Sequence, residues 1–316
     1  MNEDIDASIK ERLGDAGKIL ITGHIRPDGD AVGSMLGLGI ALENAGKRVQ
    51  MVLPAGLPHV FEHLEGSERI QREVEGEIDT FISVDCAEFS RIHKELQTFG
   101  EPFLNIDHHI TNTKYAEINL VEADAVATAS ILMKHIPAWG LEIDKASASA
   151  LLTGLITDTL GFRTSNMTPQ AFRQAAELME KGANIPDLYY RALVSRSFKA
   201  ARYWGKGLTN LERDGQMVWA VLSLKDRKAV KYHGNDDADL INMLSSIEKS
   251  PMALIFVEQR DGTVKVSWRA RNKKWDVAKV AAKFGGGGHR AAAGATIEGS
   301  LEEIELRVLH VTREIL

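Results

Sequence analysis

Patterns typical of strands and helices alternate through the first two thirds of this 316-residue chain. The β-rich runs 18–23 (KILITG) and 80–84 (TFISV) flank the small and apolar residues 31–45, which suit a buried helix. The same reasoning predicts further strands at 47–53 and 103–106, and helices at 128–135, 146–157 and 169–181. Strands that alternate with helices form a mostly parallel sheet between helical layers. The sequence therefore predicts a three-layer α/β domain.

Short acidic and histidine-rich blocks follow these predicted elements. They contribute His24, Asp28, Asp30, Asp85, Asp107, His108, His109 and Asp158. Pro27 and Gly29 break regular structure and are expected to place the first block in a turn. Ligands of parallel α/β sheets bind at the carboxyl ends of the strands. We therefore expect the blocks that follow strands to lie close together.

Six of these side chains form a donor set rich in carboxylates: His24, Asp28, Asp30, Asp85, His108 and Asp158. Such a set suits hard or borderline octahedral ions, Mn²⁺ or Mg²⁺, better than structural zinc. One ion would not use six side chains once water and substrate are counted. Two ions about 3.5–4 Å apart, bridged by one carboxylate, would accommodate them. Without cations the carboxylates would repel one another and hold protons instead.

Each block alone also has an ordinary structural explanation. The Asp28 turn is common surface chemistry, Asp85 alone could cap a helix, and residues 108–109 could be a polar pair at a strand end. Asp158 fits such an explanation least, because an ionised carboxylate at the end of an apolar helix needs partners. The metal interpretation is favoured because the ordinary explanations would all have to hold independently.

The pattern changes after about residue 185. Residues 186–205 are polar and helical, and we interpret them as a linker between a first domain, 1–185, and a second, 206–316. The second domain is predicted to be a smaller α/β unit, with strands at 217–222, 253–259 and 264–269 and helices around 238–248 and 277–283. Asp261-Gly262 predicts a hairpin between the last two strands. We expect the active site in the cleft between the domains.

Four consecutive glycines, 285–288, precede His289. Each glycine costs up to about 1 kcal/mol in a regular element, so another factor must favour them. A flexible loop is the alternative, but a linker would be longer and richer in serine. We expect the backbone N–H groups of Gly286, Gly287 and Gly288 to bind a terminal phosphate together with His289 and Arg269.

Composition narrows the range of partners. The net charge is −6, and the densest basic run, 269–274, holds four positive charges, which is too few to bind a long nucleic acid. The single cysteine, Cys86, fits a reducing compartment. No apolar run approaches the roughly 20 residues that span a bilayer, and the polar N-terminal segment does not resemble a secretory signal. We expect a cytoplasmic protein, not associated with a membrane, that acts on small anions or short oligonucleotides.

The blocks resemble, in order, the four motifs of the DHH phosphoesterase superfamily. They read HIRPDGDAVGS at 24–34, VD at 84–85, DHH at 107–109 and TDT at 157–159. The segment FGGGGH at 284–289, followed by AAG at 292–294, resembles the signature of the DHH-associated C-terminal domain. The resemblance covers nearly the whole chain. Its length and layout are similar to the branch that contains nanoRNases and 3′-phosphoadenosine-5′-phosphate (pAp) phosphatases.

The resemblance implies two Mn²⁺ ions per chain, with Mg²⁺ as the alternative. His24, Asp28 and Asp85 would hold one ion, and Asp30, Asp85, His108 and Asp158 the other, with Asp85 as the bridge. Asp107 and His109 would be the catalytic pair that orients His108 and the attacked phosphate. The chain departs from its relatives at Leu160, where they often have glycine. It also has Ala270 in place of a serine, which removes one hydroxyl from the phosphate site.

The function implied is manganese-dependent hydrolysis of short oligoribonucleotides to mononucleotides, and of pAp to AMP and phosphate. The second domain would hold the terminal nucleotide while the first cleaves the ester. One alternative is a cyclic-dinucleotide phosphodiesterase with the same centre. The other, from a different class, is a non-catalytic nucleotide-binding module, which would be expected to have lost ligands. Whether the chain forms a homodimer is left open.

Overall fold

The computed structural model describes residues 2–272 and 274–315. Lys273, which belongs to the predicted basic run, lies outside the described residues. The chain divides into two compact units, with the boundary between Ser195 and Arg196. Among the described residues, no helix combines the length and the apolar character needed to cross a membrane.

A sheet of five parallel strands forms the centre of the first unit. The strands are β1 (Lys18–Thr22), β2 (Arg48–Met51), β3 (Thr80–Val84), β4 (Leu104–Asp107) and β5 (Ile118–Val121). The helices are α1 (Asn2–Asp15), α2 (Gly29–Asn44), α3 (Lys94–Gln97), α4 (Thr128–Ala138), α5 (Lys145–Asp158), α6 (Pro169–Glu180) and α7 (Ile185–Tyr189). All neighbouring strands pair in parallel, in the order β2-β1-β3-β4-β5. The predicted α/β architecture is confirmed, whereas α1 and β5 were not predicted.

The two faces of this sheet bury different cores. Ile19 and Ile21 face a large core that also contains apolar residues of α1, α2, α4 and α5. Leu20, between them in β1, faces a smaller core together with Phe81 of β3 and Leu96 of α3. Apolar side chains on both faces are the reason that the strands are continuous apolar runs rather than alternating ones.

The strand order creates a crevice at one edge of the sheet. The chain passes from β1 to β2 on one side and then returns to β3 on the other side of β1. The connections above β1 and β3 therefore diverge, and this is the place where open parallel sheets bind ligands. His24 and Asp85 follow these two strands.

Small residues let α2 and α5 pack in direct contact. A Cβ atom at Gly33 would lie 2.4 Å from the carbonyl oxygen of Ala150, and one at Gly29 would lie 2.3 Å from the Thr157 hydroxyl oxygen. No side chain can be added at either position without separating the helices. This close packing brings the first turn of α2 beside the last turn of α5, which ends in Asp158.

The second unit is built on a mixed sheet of six strands. They are β6 (Glu212–Asp214), β7 (Met217–Leu222), β8 (Met252–Glu258), β9 (Thr263–Ala270), β10 (Gly287–His289) and β11 (Ala292–Glu298), in the order β10-β11-β9-β8-β7-β6. The helices are α8 (Phe198–Thr209), α9 (Leu224–Val230), α10 (Leu240–Leu244), α11 (Val277–Ala282) and α12 (Leu301–Arg313). Only β7 and β8 pair in parallel within this described sheet. The hairpin predicted at Asp261-Gly262 is confirmed, because β8 and β9 pair antiparallel and Gly262 has a φ of 80°.

The segment predicted as a linker, 186–205, consists of parts of α7 and α8 with a π-helical turn, Tyr190–Val194, between them. α7 belongs to the first compact unit and α8 to the second. The exact domain bounds of 1–185 and 206–316 stay a prediction.

Candidate active site

Acidic and histidine side chains converge at the carboxyl edge of the first sheet. Within the described residues, three groups place their donor atoms within 4.8 Å of one another: His24 with Asp28 and Asp85, Asp85 with His108 and His109, and Asp30 with His108 and Asp158. Asp85 and His108 each belong to two groups, so the three groups form one continuous cluster. The structure brings together all six side chains predicted as ligands.

Neighbouring donor atoms in the cluster lie 3.5–4.0 Å apart. The Nε2 atom of His24 lies 3.8 Å from Asp28 Oδ2 and 3.7 Å from Asp85 Oδ2. The Nε2 atom of His108 lies 3.5 Å from Asp158 Oδ2, 3.7 Å from Asp85 Oδ1 and 4.0 Å from Asp30 Oδ2. These separations are too long for direct hydrogen bonds. They leave oxygen and nitrogen donors close to one another but unbonded, as expected of side chains that can share a cation.

Asp28 has a structural role as well as a place in the cluster. Its Oδ1 accepts hydrogen bonds from the backbone N–H groups of Asp30 (3.0 Å) and Ala31 (3.2 Å), which makes it the N-cap of α2. The helix therefore begins at Gly29. The expectation that the first block forms a turn is wrong for Asp30, which lies in the first turn of α2. Capping leaves Oδ2 of Asp28 directed toward His24.

The N-terminus of α4 holds Asp30 in place. The backbone N–H groups of Thr128 and Ala129 donate to its two carboxylate oxygens, at 2.6 and 2.9 Å. Ser34 adds a hydroxyl donor at 3.2 Å. Unpaired N–H groups at a helix N-terminus favour a negative charge. These bonds fix Asp30 where it faces the cluster, although burial still raises its pKa above the ordinary value.

Thr128, which was not predicted from the sequence, also bonds the central carboxylate. Its hydroxyl donates to Asp85 Oδ1 at 3.1 Å. One residue thus orients both Asp30 and Asp85. A threonine at the start of a predicted helix is ordinary, and no local sequence signal distinguishes this one.

Asp85 adopts an uncommon backbone conformation. Its φ is 51°, in the left-handed region that favours glycine, and the residue is only 2% exposed. A strained backbone at a buried acidic residue persists only where the surroundings enforce it, and such strain concentrates at functional sites. The backbone N–H of Asp85 donates to the carbonyl of Ile106 at 2.9 Å, which fixes the turn above β3.

Crowding of carboxylates shifts their pKa values upward. Burial, and then the charges of Asp30 and Asp28, raise the pKa of Asp85 well above its ordinary value. The same causes raise the pKa of Asp158 to about 8. Both groups are therefore unstable as bare carboxylates near neutral pH. Cations among them would remove this cost.

A hydrogen-bonded chain joins Asp107 to His109, which belongs to one of the three groups. The Nδ1 atom of His109 lies 2.7 Å from Asp107 Oδ1, and Asn112 donates to Asp107 Oδ2 at 2.6 Å. Burial alone would raise the pKa of Asp107, but the hydrogen bond and charge of His109 and the Asn112 bond outweigh it and lower this pKa. Asp107 is thus a buried, ionised acceptor. Asn112 is a second site residue that was not predicted from the sequence.

Three of the predicted substrate residues of the second unit, Arg269, Gly287 and His289, lie on one face of its sheet. His289 pairs with Ala292, and Ala292 pairs with Arg269, so the three form a transverse row. In the next row Gly287 pairs with Gly294, and Gly294 pairs with Ser267. Residues directly opposite in antiparallel strands point to the same face. Arg269 and His289 therefore flank a floor of very small residues, which we call the open face.

The glycine tract is not the flexible loop that was the alternative interpretation of its composition. Gly287, Gly288 and His289 form β10, paired with β11. A Cβ atom at Gly286 would lie 2.2 Å from the Gly294 carbonyl oxygen, so close strand packing explains that glycine. At Gly287 a Cβ atom would meet nothing within 4 Å. Packing therefore gives no reason for glycine at 287, on the open face.

Comparison with known proteins agrees with this geometry. The model of the DHH family, N-terminal domain, matches residues 18–155, and that of the DHHA1 domain matches 217–313. The bifunctional oligoribonuclease and PAP phosphatase NrnA of Thermus thermophilus is 35% identical over 95% of this chain and 90% of its own. The chain belongs to the DHH family. The resemblance inferred from the motifs is thereby confirmed for both domains.

Solved structures show the same fold as this DHH-family chain. An exopolyphosphatase-related protein of Bacteroides fragilis has a TM-score of 0.90 at 26% identity, covering 99% of this chain and 95% of that one. RecJ of Thermus thermophilus, solved in complex with Mn²⁺, has a TM-score of 0.62 at 14% identity, covering 99% of this chain and 54% of that one. The second likeness is one of fold alone.

Proposed function

We propose that this DHH-family chain is a metal-dependent hydrolase that converts short oligoribonucleotides to mononucleotides, and pAp to AMP and phosphate. One observation carries the proposal, namely the continuous cluster in which Asp85 and His108 are each shared between two groups of donors. The name of the Thermus thermophilus relative supports the choice of substrates.

The cluster fits two divalent ions, Mn²⁺ or Mg²⁺. Its donors are carboxylate oxygens and imidazole nitrogens, spaced 3.5–4.0 Å apart without direct hydrogen bonds. We assign His24, Asp28 and Asp85 to one ion, and Asp30, Asp85, His108 and Asp158 to the other. When bound, the ions would polarise the phosphoryl oxygens and acidify a water molecule for attack.

The pair Asp107 and His109 positions a proton beside the cluster. Because Asp107 is ionised and accepts from Nδ1 of His109, it holds a proton on that ring atom. The lone pair, or a second proton, is then at Nε2. We assign His109 to orienting the attacked phosphate and moving a proton at Nε2, and Asp107 to fixing the tautomer of His109.

The open face of the second unit suits a single nucleotide end rather than a polymer. Its arginine and histidine, Arg269 and His289, lie on strands that are two strand spacings apart, about 10 Å. We propose that Arg269, Gly286, Gly287, Gly288 and His289 contact the terminal phosphate and its nucleoside. The bare backbone at Gly287 lets a ligand approach closely.

The test measures release of phosphate and mononucleotide from pAp, pApA, cyclic di-AMP and a 24-nucleotide RNA, each with Mn²⁺ and with EDTA. We expect manganese-dependent turnover of pAp and pApA that exceeds turnover of the long RNA. Preferred cleavage of cyclic di-AMP would instead indicate the cyclic-dinucleotide phosphodiesterase. Absence of turnover in folded, metal-loaded protein would refute the proposal.

A matched pair of variants locates the reaction. Asp85→Asn removes a shared donor and should lower kcat by about a hundredfold or more, with an unchanged far-UV circular dichroism spectrum. Asp124→Asn makes the same chemical change at an exposed residue of the same unit and should leave turnover intact. Equal activity of the two variants would remove the cluster from the reaction.

A further inference from the structure

A groove of about 430 Å³ lies at the end of the second sheet remote from Arg269. Its walls are formed by Arg227 of α9, by residues that follow α9, and by the turn after β8. α9 follows β7, so the groove opens at the carboxyl ends of the parallel strands β7 and β8. Arg269 pairs with Ala253 near the start of β8, about 20 Å away along the strand. The groove is therefore distinct from the open face.

A buried arginine without an ion pair lines this groove. Arg227 is only 4% exposed and forms no ion pair with any described residue. One of its terminal nitrogens donates to the carbonyl of Glu258 at 2.9 Å, while its Nε has no hydrogen-bond partner. Tyr203 lies beside the guanidinium, but its buried hydroxyl carries no charge that could neutralise Arg227.

Two arginines and one carboxylate line the groove, namely Arg227, Arg260 and Asp261. Arg260 is exposed there, and Lys199 Nζ lies 3.3 Å from Nε2 of the lining residue His233. Asp261 is the carboxylate of the lining, and its Oδ1 already accepts the N–H and hydroxyl of Thr263. A buried, unpaired arginine is costly unless an anion balances it.

We propose that this groove binds the phosphate group of a ligand the size of a mononucleotide. Arg227 and Arg260 bind the phosphate, since guanidinium groups match phosphate oxygens in charge and geometry. The side-chain amides of Asn235 and Gln259, which also line the groove, offer hydrogen bonds to the rest of the ligand. A volume of about 430 Å³ lies in the range of small-molecule sites. The site is independent of the hydrolysis proposed above.

Calorimetric titration of the full chain with inorganic phosphate and with AMP, in EDTA, tests this site without the metal centre. We expect saturable binding that Arg260→Gln and Arg227→Gln each weaken about tenfold or more. Lys279→Gln, which neutralises an exposed lysine of α11 on the opposite face of the sheet, should leave binding unchanged. Arg260 is exposed, so its variant tests the site even if Arg227→Gln fails to fold.

Comparing the affinities for inorganic phosphate and for AMP shows whether the site binds free phosphate or the phosphate of a nucleotide. Equal affinities for phosphate and AMP support a site for the phosphate group alone, and tighter binding of AMP supports a nucleotide site. Absence of saturable binding overturns the proposal. Binding that Arg260→Gln leaves intact and His289→Ala abolishes belongs to the open face, and also overturns it. EDTA prevents metal-dependent turnover. The result of the binding experiment therefore does not depend on whether the chain hydrolyses oligoribonucleotides.

Discussion

Replacing Asp158 with asparagine should stabilise the metal-free chain while impairing metal binding. The carboxylate is the last residue of α5, and its Oδ2 lies 3.5 Å from His108 Nε2. Burial and the charges of Asp30 and Asp28 raise its pKa to about 8. Asparagine has nearly the same shape and carries no charge, so the variant isolates the electrostatic cost.

The loss of folding stability caused by the Asp158 carboxylate increases as the pH rises. In the unfolded chain Asp158 has its ordinary pKa of 3.8, so between pH 3.8 and 8 the folded state holds the proton more tightly. Stability therefore falls as pH rises through this window, and the full cost is present above pH 8. At about 1.4 kcal/mol for each tenfold change, the upper bound is about 6 kcal/mol. Water reaches the side chain, which is 30% exposed, and nearby carboxylates share its protons, so we expect about 2 kcal/mol.

Thermal unfolding in EDTA measures the effect. A gain of about 2 kcal/mol in a unit of this size raises Tm by about 4–8 °C at pH 8.5, and the gain should shrink to about a third at pH 5. Asp124→Asn is the exposed control and should leave Tm unchanged at both pH 8.5 and pH 5. With Mn²⁺ the wild type should be more stable than Asp158→Asn, because the variant lacks a ligand and is stabilised less by the ion. A metal-free Asp158→Asn chain that is no more stable than wild type at pH 8.5 would refute the electrostatic reasoning.

Three further predictions concern residues around the site. Asn112→Ala removes a donor to Asp107 and should lower kcat by about 10–100-fold with little change in Mn²⁺ affinity measured by calorimetry; an unchanged kcat would remove Asn112 from the positioning chain. Gly33→Val places methyl groups against the backbone of α5 and should reduce the free energy of unfolding by about 1–3 kcal/mol or more in urea titrations, whereas tolerance would contradict the close helix contact. His135 is buried, which lowers its pKa, but two carboxylates outweigh burial and raise it. The contribution of protonated His135 to folding stability is thus fully present below pH 6.5 and is lost as the pH rises through its raised pKa. His135→Gln should therefore reduce Tm more at pH 5.5 than at pH 9. An equal reduction of Tm at both pH values would exclude a charged His135.

Much of the site could be predicted because the informative residues are local in sequence. His24, Asp85 and Asp107 lie at or just after the ends of β1, β3 and β4, and strand ends can be recognised from short apolar runs. A parallel sheet brings such ends to one edge by its topology. The identity of these donors and the α/β class of the first unit therefore followed without coordinates.

Other contacts could not be predicted because they join elements that are distant in sequence. Thr128 bonds Asp30 and Asp85, which precede it by 98 and 43 residues. The unpaired state of Arg227 is visible only when its surroundings are known. Neither residue stands in a pattern that differs from an ordinary helix start or an ordinary charged helix.

The donor types, the family and the parallel sheet could all be inferred from the sequence, since they depend on residue identity and on short-range hydrophobic periodicity. The assembled fold was needed to see that Asp85 and His108 are shared between groups of donors, that Asp28 caps α2, and that residues 287–289 form a paired strand. The physical reason is the same in each case. Separations of 3–4 Å between side chains depend on how closely helices pack and which residues pair across strands, and these are properties of the assembled core rather than of any one segment.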